Sequence, residues 1–190
     1  MKTILHFLLL PFNYLMLKLN RVQINRFRIF GAVIILNKGK FIIDDNVKIN
    51  SSSFANVIGG NTRTSFVVKK GGIINIGKNV RISNSAFYCQ TEITIGDNVM
   101  IGGSCKIWDS DFHPIDPLIR KSTPNEHFIS RPIRIHESAF IGGSSIILKG
   151  VTIGKNAIIA AGSVVSRNVP DNEIWGGNPI QFIKKLEVNV

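Results

Sequence analysis

Acidic residues are scarce in this chain. Twelve Asp and Glu stand against 23 Lys and Arg over 190 residues, a formal charge of +11. An excess of that size implies anionic company: nucleic acid, a membrane face or phosphate-bearing ligands. Charge of either sign is modest at 18%, against 44% hydrophobic residues, which excludes a solvated, disordered chain and leaves ample material for one core. Cysteine is rarer still. Cys89 and Cys105 have neither metal-ligand nor disulfide-framework spacing, so both read as buried free thiols in a reducing cytosol. An uninterrupted apolar run is also missing. Residues 4–19 are mostly apolar, but His6, Pro11, Asn13 and Lys18 break the run. A sixteen-residue helix is about 24 Å long, short of the roughly 30 Å hydrocarbon core, and no small-residue cleavage site follows it.

Seven Lys or Arg and no acid occur through residue 43. Residues 1–30 therefore read as an amphipathic segment. One reading lays residues 1–28 on an anionic membrane, with Lys18, Arg21, Arg26 and Arg28 behind the helix. The other makes the segment a cap over an open end of the fold; one segment can serve both.

What the chain has in abundance is a beat of six. Ile135, Ile141, Ile147, Ile153, Ile159 and Val165 stand six apart without a miss. Four residues after each of the first five comes Ala139, Ser145, Val151, Ala157 or Ser163. Ile95, Ile101 and Ile107 keep the spacing upstream, as do Ile76 with Ile82 and Ile43 with Ile49. No α-helix has period six, and a plain strand has period two. Short strands divided by tight turns satisfy it, one aliphatic per strand pointing inward. Stacked coils of that kind build a parallel β-helix over residues 31–170. The pairs Gly77–Asn79, Gly96–Asn98 and Gly154–Asn156 are expected to supply left-handed corners.

Period six by itself says nothing about chemistry, so function is sought where it fails. It fails at the N-terminus, at residues 171–190, which read as a C-terminal cap, and after Ile107. From Ile107 to Ile135 is 28 residues, not a multiple of six, so 108–134 must leave the prism as a loop. Pro114, Pro117, Pro124 and Pro132 stiffen it. Structured loops on rigid scaffolds are where sites usually live. This one opens with "IWDSDFHPIDP", and His113 there has a side chain suited to general-base work near neutral pH. Asp111, or its neighbour Asp109, is placed to fix the imidazole tautomer. Trp108 offers an indole face as a platform for a sugar ring.

These features resemble the hexapeptide-repeat acyltransferases, in the maltose, galactoside and polysaccharide O-acetyltransferase branch. The likeness runs from about Ile42 to Leu186 and is densest in "ITIGDNVMIGG", "DSDFHPID", the run from "RPIRIHESAF" to "SRNVPDN", and the closing "GGNP". It implies a left-handed β-helix, a homotrimer with sites between subunits, and acetyl transfer from acetyl-CoA to a hydroxyl or amine. It makes His113 the base and puts the oxyanion donor in the turn Gly142–Gly143. Relatives carry tryptophan where Phe140 stands and often serine at Gly143, so only a backbone donor is expected here. The CoA groove falls on Ala161 and Gly162, with Ser166, Arg167 and Lys184 near the phosphates and Asn178–Pro179 walling the adenine. Gln181 departs from the arginine of relatives. The acceptor-holding asparagine aligns with Asn84, though Ser83 and Ser85 align equally well.

The resemblance implies an O-acetyltransferase acting on a saccharide. The basic, membrane-seeking N-terminus suggests as acceptor a surface polysaccharide or its lipid-linked saccharide precursor, with the protein cytoplasmic or peripheral at the cytoplasmic face of the inner membrane. Other readings use the same residues. A basic solenoid adaptor at the membrane would bind lipid without thiol release. An amino-sugar N-acyltransferase usually carries an extra domain, for which there is little room. A γ-type carbonic anhydrase needs three converging histidines, and His113, His127 and His136 lack the paired spacing, so no metal is expected. Nucleic acid is not expected as a partner, because the cations are dispersed without interleaved aromatics.

Overall fold

Period six becomes three flat faces. The structure is a computed structural model that describes residues 2–187, with side chains from Phe7 onward; Met1 and residues 188–190, the outer ends of both expected terminal segments, lie outside the described residues. Short strands stack in parallel into one sheet per face. The first face holds Lys40–Ile43, Ile73–Ile76, Glu92–Ile95, Ile133–Ile135 and Thr152–Ile153, headed by Gln23–Ile24. The second runs from Phe27–Gly31 through Val47–Ser51, Arg81–Ser83, Met100–Ile101 and Phe140–Ile141 to Ile158–Ile159. The third runs from Ile34–Asn37 to Val164–Val165.

Register aligns the sixth residues into columns. Ile43, Ile76, Ile95, Ile135 and Ile153 stack on the first face. Ile49, Ile82, Ile101, Ile141 and Ile159 stack on the second. Ile35, Phe66, Phe87, Ile107, Ile147 and Val165 stack on the third. All are buried. Each fully buried Ile or Phe contributes about 1.5–3 kcal/mol of transfer free energy. Ser145 and Ser163, four past an Ile, are buried too, and both hydroxyls donate to Ala160 O. The small residue leaves space for the corner, and the hydroxyl finds an acceptor there.

The corners divide their labour differently from expectation. Asn79, Asn98 and Asn156 alone take the left-handed conformation, at φ 59°, 60° and 56°. The preceding glycines do not. They are required for close approach: a Cβ on Gly96 would lie 2.7 Å from Glu137 N, on the next coil.

Helix α1 (Lys2–Leu19) covers the first coil. Asn13 is fully buried and pins it, donating Nδ2–H to Gly31 O and accepting from Val33 N–H at Oδ1. Leu17 is buried on the same side, whereas Phe7, Leu8, Phe12, Leu15 and Leu19 remain exposed on the other. Strands begin at Gln23 and Phe27, so the solenoid starts inside the expected N-terminal segment 1–30. It also runs past residue 170. Glu173–Gly176 pairs in parallel with Ile158–Ile159, then Gln181–Lys185 folds back antiparallel on it. Backbone pairing continues there because it needs no six-residue beat. Among the described residues, no helix is long and apolar enough to cross a membrane.

Two excursions leave the prism. The segment after Trp108 carries the short helix α2 (Pro117–Ser122), capped by Asp116, whose carboxylate accepts from Leu118 and Ile119 N–H. The second excursion, residues 52–64, was not anticipated. It folds along the corner between the second and third faces, where a Cβ on Gly103 would lie 2.7 Å from Gly59 Cα and a Cβ on Gly59 would strike the Asn56 and Asn84 side chains.

Candidate active site

His113 sits on the edge where the third face gives way to the first, held by a narrow neck. Asp111 N–H donates to Ile129 O at 3.0 Å and Arg131 N–H to Asp109 O at 2.9 Å, closing the loop at its base. Phe112 takes φ 65°, which is costly for a bulky residue, and its ring is clamped between Tyr88 (4.5 Å between centroids) and Trp108 (5.4 Å, edge-on). That clamp aims the next residue outward.

The imidazole of His113 is exposed, and its Nδ1 lies 2.7 Å from Pro124 O. A carbonyl oxygen can only accept, so Nδ1 carries the proton and Nε2 presents its lone pair to solvent. Pro124 therefore fixes the tautomer. The expected orienter does not: Asp111 pairs with Lys149 Nζ at 2.7 Å. Asp109 is also committed elsewhere. Fully buried, its carboxylate accepts from the N–H groups of Gln90, Thr91 and Glu92 and from the Thr91 hydroxyl. A carboxylate meets three converging amides more strongly than it meets a ring across a loop. Pro124 lies eleven residues downstream, with no side-chain signal to reveal it.

Trp108 points outward beside the loop, and Lys106 Nζ stands 5.6 Å over its ring. The indole is thus half-covered by neighbours. The thiols lie inside. Burial, then the Asp109 carboxylate, pushes Cys89 up to about 12, and burial also raises Cys105. Neither is a nucleophile at neutral pH.

The remaining expected residues split between two edges of the third face. Gly142, Gly143, Ala161, Gly162, Asn178 and Pro179 share the corner between second and third faces. Gly142 N–H is spent on Ile159 O, and a Cβ there would strike Ala161 N at 2.5 Å. The N–H groups of Gly143 and Ala161 donate to nothing among the described residues. Unpaired amides at small residues are what a carbonyl or oxyanion needs. Ser166 and Arg167 follow the last third-face strand, on the opposite edge, with His113. Lys184 belongs to the closing hairpin of the second face, paired with Ile174. In one chain the His113 imidazole and the amides of Gly143 and Ala161 are therefore separated by the width of the third face.

Asn84 lies at the amide corner, 1% exposed and with φ 45°. Its Nδ2–H donates to Thr62 O at 2.6 Å, which fixes the orientation of the amide, and its Oδ1 is buried without a partner. It lines a concavity of about 300 Å³ with Thr62, Ser104 and Ser144. Ser85, by contrast, donates to Ser83 O and Gly102 O within the wall. The unanticipated loop 52–64 supplies Thr62 and so completes this wall. Ser104 Oγ–H ties the loop down through Gly59 O at 2.8 Å.

Comparison with known proteins places this architecture. Residues 132–167 match the family described as bacterial transferase hexapeptide (six repeats), and residues 92–107 match the hexapeptide repeat of succinyl-transferase. A putative acetyltransferase of Staphylococcus aureus (strain MRSA252) is 33% identical over 81% of this chain and 73% of that protein. A galactoside O-acetyltransferase of Lactococcus lactis is 34% identical over 58% of this chain and 55% of that one. The chain spans between about half and two thirds of the length of the first curated relatives it matches. Among solved structures, a galactoside acetyltransferase in complex with coenzyme A superposes with a TM-score of 0.58 at 28% identity, covering 74% of this chain and 64% of that one. The six-residue columns, the matched repeats and the likeness over four fifths of the chain agree: this chain belongs to the hexapeptide-repeat acyltransferase family and shares its left-handed β-helix.

Proposed function

We propose that the protein is an acetyl-CoA-dependent O-acetyltransferase acting on a saccharide hydroxyl. The observation that carries this reading is the His113 imidazole, with Nδ1–H held by Pro124 O and Nε2 free to take a proton. The acceptor hydroxyl gives its proton to Nε2 as its oxygen attacks the thioester carbonyl. Gly143 N–H steadies the tetrahedral oxyanion, and collapse expels the CoA thiolate, which recovers the proton from the imidazolium. Asn84 Oδ1, buried without a partner, is suited to a donor such as a sugar hydroxyl. The small residues of the amide corner leave a donor's pantetheine room along Gly143, Ala161 and Gly162, and Arg167 and Lys184 are cations for its phosphates.

Base and amides on opposite edges of one face call for a second copy, and a closed ring of three joins every base to a neighbour's amides. The exposed apolar face of α1, with Lys18 and Arg21 at its end, supports contact with an anionic membrane. An acceptor assembled at the cytoplasmic face, such as a surface-polysaccharide precursor, fits that location. The galactoside acetyltransferase solved with coenzyme A supports the donor.

The test is thiol release from acetyl-CoA over a panel of mono- and oligosaccharides. Acceptor-dependent release should fall at least 100-fold in His113→Ala, within the range of general-base catalysis. Release unchanged in that variant would remove His113 as the base.

A further inference from the structure

Three cations of this prism meet an acid: Arg134 meets Glu92, Lys155 meets Glu137 and Lys149 meets Asp111. In the N-terminal half of the second face, cations stack on one another instead. Arg28, Lys48 and Arg81 occupy successive rungs in strict register, all exposed, and none forms an ion pair among the described residues. Rungs are about 4.8 Å apart, so three like charges stack within roughly 10 Å. Directly opposed like charges destabilise a sheet, and nothing in the columns beneath requires them.

These residues line a groove of about 710 Å³ together with Arg26, Phe27, Asn46 and Asn79. Lys48 and Arg81 also line a smaller concavity of about 220 Å³ that continues along the face to Met100, Gly102 and Phe140. Asn50 lines this extension. Its Nδ2–H donates to Ser83 Oγ, while its Oδ1 is buried with no partner. Phe140 lies two rungs beyond Arg81, about 10 Å, and directly precedes the turn toward Gly143. Asn50 stands on the Lys48 rung beside the column; beyond Arg81 come the apolar rungs of Met100 and Phe140, and Gly143 follows on Phe140's own coil.

We propose that the column Arg28–Lys48–Arg81 is an anion site on the acceptor side: it takes the phosphate or diphosphate of a saccharide carried on phosphate and lays the sugar along the extension toward Gly143. This rests on the transferase reading for its direction, but not for the anion site itself. Guanidinium groups match phosphate oxygens two at a time, and three cations on a rigid sheet neutralise a diphosphate without rearrangement. The apolar Met100 and Phe140 suit the face of a sugar ring, and Asn50 Oδ1 suits one of its hydroxyls. Such a ligand would span the interval that a free sugar cannot.

The first measurement is binding of inorganic diphosphate to the full chain with saturating CoA present, so that the donor's phosphate contacts are already filled. Arg28→Gln/Arg81→Gln should weaken binding at least tenfold, since a charged hydrogen bond is worth about that factor. Lys69→Gln/Lys70→Gln, exposed on another part of the surface and equal in charge lost, should change it by less than twofold. No binding by the unaltered protein, or equal weakening in both variants, would overturn the site.

The second measurement separates the sources of phosphate. A nucleoside-diphosphate hexose, a short prenyl-diphosphate saccharide and the free hexose are compared in acetyl transfer. The groove variant should raise KM for one or both phosphate-linked acceptors at least tenfold, leaving kcat and the free hexose nearly unchanged. Vesicles of phosphatidylglycerol form the third arm: release of the groove variant from vesicles with diphosphate binding intact would make the column a bilayer contact and defeat the proposal. Specific diphosphate binding without thiol release from any acceptor would sink the transferase reading and leave the anion site standing.

Discussion

His113, Asp111 and Asp109 lie within five residues, and only the folded chain separates their roles. Asp111→Asn should alter thiol release by less than about threefold, because the carboxylate faces Lys149 and not the imidazole. Asp109→Ala should destabilise the protein by about 3 kcal/mol or more, since three part-buried amides lose a fully buried charged acceptor at roughly 1 kcal/mol or more each. Chemical denaturation of both variants beside the activity assay checks the pair. A second residue-scale expectation concerns alkali. Cys89 holds its proton in the folded state up to about 12, whereas an unfolded thiol loses it near 8.5. The unfolded state is therefore favoured progressively as pH rises from about 8.5 toward 12, and stability falls over that window. Below it, both states hold the proton and the thiol contributes no pH dependence. Cys89→Ala should flatten the decline in urea midpoints across that range.

At the scale of elements, α1 depends on one polar residue. Asn13 satisfies Gly31 O and Val33 N–H beneath the helix, and Asn13→Ala leaves two buried backbone groups unpaired. A cost of roughly 1–3 kcal/mol for each is expected, seen as a lower Tm and faster hydrogen exchange through residues 27–37. If the helix loosens while the coils beneath keep their protection, α1 is an appendage more than a cap. The loop that carries His113 is built in another way. Its neck, the aromatic clamp on Phe112 and the capped helix α2 hold it at three points, so His113 moves little without the whole loop. The excursion 52–64 depends on backbone contact, Gly59 on Gly103, and closes the wall around Asn84.

For the whole molecule, the decisive fact is that one chain presents the His113 imidazole on one edge and the amides of Gly143 and Ala161, unpaired among the described residues, on the other. Sedimentation equilibrium should return three times the chain mass, and dilution into monomers should abolish thiol release with the fold intact by circular dichroism. A fully active monomer would sink the shared-site reading. The distribution of charge belongs to this scale as well. A net +11 reads in the sequence as a general attraction to anions, and folding stacks three of its cations, Arg28, Lys48 and Arg81, in one column, with Lys48 Nζ 5.4 Å over the Phe30 ring.

The prism was legible from the sequence alone. Each Ile of the beat is set by its own short segment, and the same solution recurs every six residues, so errors cannot accumulate. The interruption at His113 was legible for the same reason, as a failure of a regular count. Tertiary structure decided what depends on distant returns of the chain: Pro124 on His113, the amides of residues 90–92 on Asp109, and Thr62 on Asn84. These pairings use main-chain groups, which every residue possesses and no sequence pattern marks. The stack of Arg28, Lys48 and Arg81 was equally hidden. Its members lie 20 and 33 residues apart, and the register that unites them is set by the buried columns of Ile49 and Ile82, not by the charges themselves.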